Sequence, residues 1–174
     1  MYRTLIFSAL VAGAFSTSAL AEDFTLTSPE IAEGEQLSSD FVFQGFGCEG
    51  GNRAPTLAWS GAPEGTESFA VTVYDPDAPT GSGWWHWFVF NIPADVTSLP
   101  SGEEVMGVEL VNDYGAEGFG GACPPPGREH RYHFTVHALG TMLEIDNSVS
   151  NALAGFMVNA NSLASSTITA VYSR

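Results

Sequence analysis

Short runs of alternating, β-branched or aromatic residues recur along this chain, and each is closed off by glycine or proline. Residues 24–27, 41–44, 69–75, 84–92, 131–139 and 167–172 have this character, and they predict β-strands. Only residues 149–158 carry a helical pattern, with Asn147 or Ser148 in place as the cap. Residues 161–165 suggest a shorter second helix. The chain shows no internal repeat, heptad pattern or low-complexity linker. The expectation is an all-β, single-domain β-sandwich with one or two short helices near its C-terminal end.

Three of these segments place polar groups at special positions. In residues 69–75 a period of two puts Phe69, Val71 and Val73 on one face, followed by Asp75. The next residues, Pro76-Asp77-Ala78-Pro79, enforce a rigid turn. In residues 84–90 the same period places Trp84, His86, Phe88 and Phe90 on one side, and Trp85, Trp87 and Val89 on the other. Both faces are apolar, which suggests a central strand buried on both sides. His86 then lies among aromatic rings and needs a partner. Residues 130–137 would gather His130, His133 and His137 on one face of a helix, but their aromatic and β-branched content favours a strand. As a strand, His130, Tyr132, Phe134 and Val136 share one face, with Arg131, His133, Thr135 and His137 on the other.

Charge narrows the possible partners. The 174 residues include 20 Asp+Glu against 5 Lys+Arg, all five of them arginine, for a formal net charge of −15. Such a chain lacks the basic patch that phosphate-backbone binding needs, so nucleic acid is excluded as a partner. Broad adhesion to an anionic membrane is disfavoured for the same reason. Met1-Tyr2-Arg3, the uncharged apolar stretch from Leu5 to Phe15, and Ala19-Leu20-Ala21 form a secretory signal, residues 1–21, cleaved before Glu22. Residues 22–174 are then a periplasmic or secreted domain, with no other stretch approaching membrane-spanning length. Loss of Arg3 leaves 4 arginines against 20 carboxylates, a charge of −16. In an oxidising compartment Cys48 and Cys123 favour a disulfide over two free thiols.

The motifs now carry a resemblance. Asp75-Pro76-Asp77-Ala78-Pro79, then Trp84-Trp85-His86-Trp87, then Gly121-Ala122-Cys123-Pro124-Pro125 and His130-Arg131-Tyr132 occur in that order, after Pro55-x-Leu57-x-Trp59. In this the chain resembles the bacterial branch of the phosphatidylethanolamine-binding, or Raf-kinase-inhibitor-like, protein family over nearly all of the mature chain. The resemblance implies a β-sandwich with a small anion pocket built from Asp75, Trp84, His86, His130 and Tyr132. Pro124 and Pro125 would stand at the rim, and Asp77 and Pro79 in the supporting turn. It also implies a non-catalytic protein that binds phosphate-bearing ligands, such as phospholipid headgroups or phosphorylated small molecules, without a cofactor. Some members inhibit kinases or proteases, so an interaction module is the alternative.

The residue chemistry suits an anion. Two imidazoles, a phenol and an indole supply donors without permanent charge. Asp75 near His86 or His130 would keep one imidazole protonated. A hydrolase using the Asp/His/Tyr cluster is a further alternative, though no nucleophile motif is present. Asp75, His86 and His130 could instead ligate a metal, but their spacing carries no metal signature. Arg53, Arg128 and Arg131 lie in or beside the motif segments, so a basic spot at the pocket rim is expected, with Arg53 and Arg131 supporting the site.

Overall fold

The computed structural model describes residues 23–174; residues 1–21, expected to be a secretory signal, lie outside the described residues. Ten strands and one α-helix follow one another: β1 (Thr25–Thr27), β2 (Gln44–Gly45), β3 (Cys48–Glu49), β4 (Leu57–Ser60), β5 (Ser68–Asp75), β6 (Trp84–Pro93), β7 (Ser98–Leu99), β8 (Val108–Glu109), β9 (Glu129–Leu139), α1 (Asn151–Asn161) and β10 (Ser162–Ser173). The large sheet runs β10-β9-β5-β6-β8 and the small one β1-β4-β7, while β2 and β3 form a separate hairpin. All pairings between these strands are antiparallel.

The two faces of the large sheet bury different things. Phe69, Val71 and Val73 of β5, Trp87 and Val89 of β6, and Tyr132, Phe134 and Val136 of β9 pack against Leu26, Leu57, Trp59 and Leu99 of the small sheet. This shared core makes the two sheets a sandwich. On the other face Ala70, Phe88, Phe90 and Leu139 pack under Ala154 and Val158 of α1. β5 and β6 are thus covered on both sides, which explains their almost unbroken apolar sequence.

β6 departs from strict alternation at the position that matters most. Val73 pairs with Trp87 and Tyr74 with Trp85, so His86 is one residue extra on its strand. This β-bulge shifts the period: Trp87 and Val89 face the small sheet, while Phe88 and Phe90 turn to the helix. The expected grouping of Trp84, His86, Phe88 and Phe90 on one face is therefore corrected. A bulge bends a strand and re-aims its side chains, which is what happens to His86 at the mouth of the sandwich.

Three other expectations change. Residues 41–44 are not one strand: Ser39–Phe41 is a single 3₁₀ turn, Val42 makes an isolated parallel bridge to Ala122, and the strand itself begins at Gln44. The suggested helix at 161–165 is strand, because β10 starts at Ser162 directly after α1 and its β-branched run pairs with all of β9. The helix cap is Ser150, whose hydroxyl accepts the Leu153 N–H. Ser148 lies two residues before that cap, and its N–H and hydroxyl both donate to the Asp146 carboxylate.

Cys48 and Cys123 form a disulfide with a sequence separation of 75. It ties the β2–β3 hairpin to the segment that precedes β9. Closing a loop of that length restricts the unfolded chain by about 4 kcal/mol in the chain-entropy view. The double variant Cys48→Ser/Cys123→Ser should accordingly unfold in urea with stability lowered by up to about 4 kcal/mol. An unchanged unfolding midpoint would contradict that role.

Candidate functional site

The site forms where β5, β6 and β9 end together. Asp75 closes β5, and its side chain is buried. One carboxylate oxygen, Oδ1, accepts the backbone N–H groups of Asp77 at 2.8 Å and Ala78 at 3.0 Å. Proline at 76 and 79 fixes the turn that delivers those donors. The other oxygen, Oδ2, accepts Nδ1–H of His130 at 2.7 Å, between two side chains that are almost wholly buried. Asp75 thus joins the turn after β5 to the start of β9.

His86 is held from the opposite side. Its Nδ1 lies 2.7 Å from the Gly120 carbonyl oxygen, and its own carbonyl accepts the Gly120 N–H at 2.8 Å. A carbonyl only accepts, so Nδ1 carries the hydrogen. Burial pushes the His86 imidazole below its ordinary pKa; the Gly120 contact and the charge of Asp75 oppose that shift without cancelling it. Tyr132 sits edge-on to His86 with ring centroids 5.1 Å apart. Burial drives the phenols of Tyr132 and Tyr114 upward, with the charge of Asp75 adding to the shift, so both keep their O–H hydrogens.

Between these groups lies a pocket of about 240 Å³. Asp75, His86 and His130 line it with Ala78, Pro79 and Thr80 of the turn, and Trp84, Tyr114 and Phe46 add aromatic wall. Cys123, Pro124 and Pro125 complete the lining. Two lining residues carry buried nitrogens with no hydrogen-bond partner, Trp84 Nε1 and His86 Nε2, and Tyr132 Oη, on the ring beside His86, has none either. Buried polar groups are nearly always paired, so three orphans together are unusual. Gly83, at φ +70°, leads into Trp84; a side chain there would collide with the Tyr74 hydroxyl.

The sequence-derived site residues divide into two groups. Asp75, Trp84, His86, Pro79, Pro124, Pro125 and His130 line the pocket, and Tyr132 backs it through His86. Asp77 is not in the lining; it clamps Arg131, accepting from that residue's N–H, Nε and Nη2. The Arg131 guanidinium holds the Asp77 carboxyl down to about 2. Arg53 lies elsewhere, paired with Glu30 at 2.8 Å and Asp40 at 3.3 Å. Arg128 and Arg131 line a surface cleft that shares only His130 with the pocket. The expected basic rim is corrected: nearby carboxylates take up the charge of Arg53 and Arg131. Arg174 instead braces the rim, donating Nε to the Pro124 carbonyl and Nη1 to that of Gly47, both at 2.7 Å. Among the described residues no group of three His, Cys, Asp or Glu side chains is placed to hold a metal.

Two aromatic pocket residues escaped the sequence reading, as did Thr80 of the turn. Phe46 occupies the tight turn between β2 and β3 at φ 52° with 70% of its surface exposed. Tyr114 stacks on Phe43 at 3.8 Å, and its hydroxyl donates to the Gly121 carbonyl. The signal for both was an aromatic residue beside a turn glycine, in Gly45-Phe46-Gly47 and Tyr114-Gly115.

The sequence profile of phosphatidylethanolamine-binding proteins matches residues 27–173. The chain belongs to that family. Among its relatives, the UPF0098 protein YbcL of Escherichia coli K12 is 56% identical over 98% of both chains. YbhB of the same organism is 48% identical over 85% of this chain and 99% of its own length. The crystal structure of E. coli YbcL, described as a member of the mammalian family, superposes with a TM-score of 0.84 over 88% of this chain and 99% of that one. A family homologue from Chlamydia trachomatis, CT736, is 26% identical and superposes at 0.77 over 87% of this chain and 97% of its own.

The buried pair yields a direct test. Asp75→Asn would set an amide NH₂ against His130 Nδ1–H, or else leave the turn N–H groups facing it. Removing one partner of a buried pair costs about 3 kcal/mol or more. Urea unfolding of the variant should show a loss of that size, and a loss below about 1 kcal/mol would contradict the arrangement.

Proposed function

We propose that this protein is an exported, non-catalytic binder of a small phosphate-bearing ligand, held in the pocket between Asp75, His86 and His130. One observation carries the reading: Trp84 and His86, each with an unpartnered buried nitrogen, line one cavity beside the aromatic rings of Phe46 and Tyr114, and the unpartnered Tyr132 hydroxyl belongs to a ring edge-on to His86. A tetrahedral oxyanion offers several acceptors in a small volume, and the indole N–H and phenol O–H are neutral donors for them. Water-excluding walls strengthen each such bond. The cavity suits a headgroup or a phosphorylated small molecule better than a pair of acyl chains. Non-catalysis is supported by Cys123, the one cysteine in the lining, whose sulfur is committed to the disulfide and is no free thiol nucleophile. Export is supported by the same disulfide. No helix among the described residues is long and apolar enough to cross a membrane.

The depressed His86 pKa sets the sign of the pH dependence. In the free protein His86 is neutral through the neutral range. A bound phosphate places negative charge beside Nε2, so the His86–phosphate pair gains a proton on binding. Affinity for inorganic phosphate should therefore rise several-fold as pH falls from about 7.5 to about 6, the range in which phosphate itself titrates. Calorimetric titration in two buffers of different ionisation enthalpy should show net proton uptake. An affinity that is flat across the window, or proton release, would count against the reading.

A further inference from the structure

The face of the large sheet turned toward α1 carries a second cavity, of about 480 Å³, that shares no residue with the pocket beside Asp75. Residues of β5, β6, β9 and β10 line it together with the helix. No Asp, Glu, Lys or Arg is among them, although the chain holds 20 acidic residues. In their place stand hydroxyls, two imidazoles and three aromatic rings.

The polar groups are neutral and two-sided. Thr72, Thr135 and Thr167 occupy paired positions on β5, β9 and β10, and the last two hydroxyls meet at 2.8 Å. The Thr169 hydroxyl lies 2.9 Å from His133 Nδ1. A hydroxyl has one hydrogen and two lone pairs, so a single such contact leaves capacity on each. Burial pushes the His137 imidazole down to about 4, so that ring is neutral near pH 7 and presents both a donor and an acceptor. Trp85 supplies the apolar side, with its ring centroid 4.6 Å from that of Tyr74 and 5.2 Å from that of Phe88. The Tyr74 hydroxyl donates to the Ser82 carbonyl, which fixes its ring. Over Trp85 the helix has a glycine, Gly155. A side-chain carbon there would sit 3.6 Å from Trp85 Cη2 and 4.0 Å from Phe88 Cε2, at ordinary contact distance. Neither a collision nor an unusual backbone calls for glycine at this helical position, where alanine is the better helix former. The glycine keeps the cavity open beside the six-membered ring of Trp85.

From this lining we infer that the second cavity binds a neutral saccharide, with C–H groups packed on Trp85 and hydroxyls bonded to the threonine and His137 side chains. An anion would find no cation here, and a cation no carboxylate. A wholly apolar ligand would strip water from the threonines and His137 without replacing it. A sugar presents hydroxyls that donate and accept beside apolar C–H groups, the same mixture the cavity offers. The inference is independent of the phosphate reading, because the two cavities have no residue in common.

The test is ¹H–¹⁵N NMR of the full mature chain, titrated separately with maltose, cellobiose and N,N′-diacetylchitobiose. At least one of these uncharged disaccharides should give saturable shifts at the Trp85 indole N–H and the amides of residues 133–137 and 153–159, with Kd in the millimolar range. No saturable shift with any of the three, or shifts centred on His86 and His130, would overturn the inference. Shifts of the same residues with protein concentration alone would assign this face to a second copy of the chain and overturn it too. Gly155→Leu fills the cavity while improving helix propensity, and it should abolish the response; wild-type affinity in the folded variant would contradict the site. If circular dichroism shows that variant misfolded, Thr167→Val decides: it removes one hydroxyl, keeps the strand preference and should weaken binding by about threefold or more. Unchanged affinity there would overturn the inference.

Discussion

The carboxylate of Asp75 organises the functional end of this fold. It is buried, and it accepts three hydrogen bonds from two directions: two from the turn at residues 77–78 and one from His130 at the start of β9. A charge withdrawn from water is tolerated only when its oxygens are met in this way. The requirement fixes several things together. The turn must present its N–H groups inward, β9 must reach the end of β5, and His130 must turn Nδ1 to the carboxylate. Once that is done, Nε2 is the only polar atom His130 has left to offer.

The second constraint is the bulge at His86. One extra residue lets a strand buried on both faces serve two cores beyond this point and a polar site before it. The loop carrying Asp113, Tyr114 and Gly120 then docks on the bulged segment, with the Trp85 N–H donating to Asp113 and Gly120 exchanging two hydrogen bonds with His86. Both histidines end up in the same condition, with Nδ1 committed to the protein. The rim is fixed by separate means: the disulfide joins its two segments, and Arg174 bonds to carbonyls on each. These ties hold Phe46 in place although most of its surface is open to water.

Much of this was legible in the chain. The apolar alternation ending at Asp75 marked a carboxylate at a strand terminus, and the flanking prolines marked the turn that satisfies it. The choice of strand over helix for residues 130–137 put His130 and Tyr132 on the core face, where the structure has them. The bulge was not legible, because a two-sided apolar strand such as Trp84–Pro93 gives no pattern against which an inserted residue would register. Phe46 and Tyr114 were missed because a loop aromatic reads like any surface residue until tertiary contacts place it. The arginines misled for a related reason. Proximity in sequence says nothing about which carboxylate a long side chain will reach, and with 20 acidic residues available Arg53 and Arg131 find partners outside the pocket lining.

The strongly acidic chain and the uncharged donors of its pocket belong to one account. A protein that repels anions at long range can still capture one at short range if the site supplies aligned hydrogen bonds and little competing water. In the proposed reading the placement of hydrogens governs how an anion is held, and the two imidazoles set it. Long-range ¹H–¹⁵N correlation spectra of the histidine side chains, recorded while inorganic phosphate is added, read that placement directly. The account predicts Nδ1-protonated rings for His86 and His130 in the free protein, with the Nε2 resonances of those two shifting on addition and those of His133 and His137 staying fixed. An Nε2–H tautomer at His86 in the free protein, or Nε2 signals there that ignore phosphate, would contradict it.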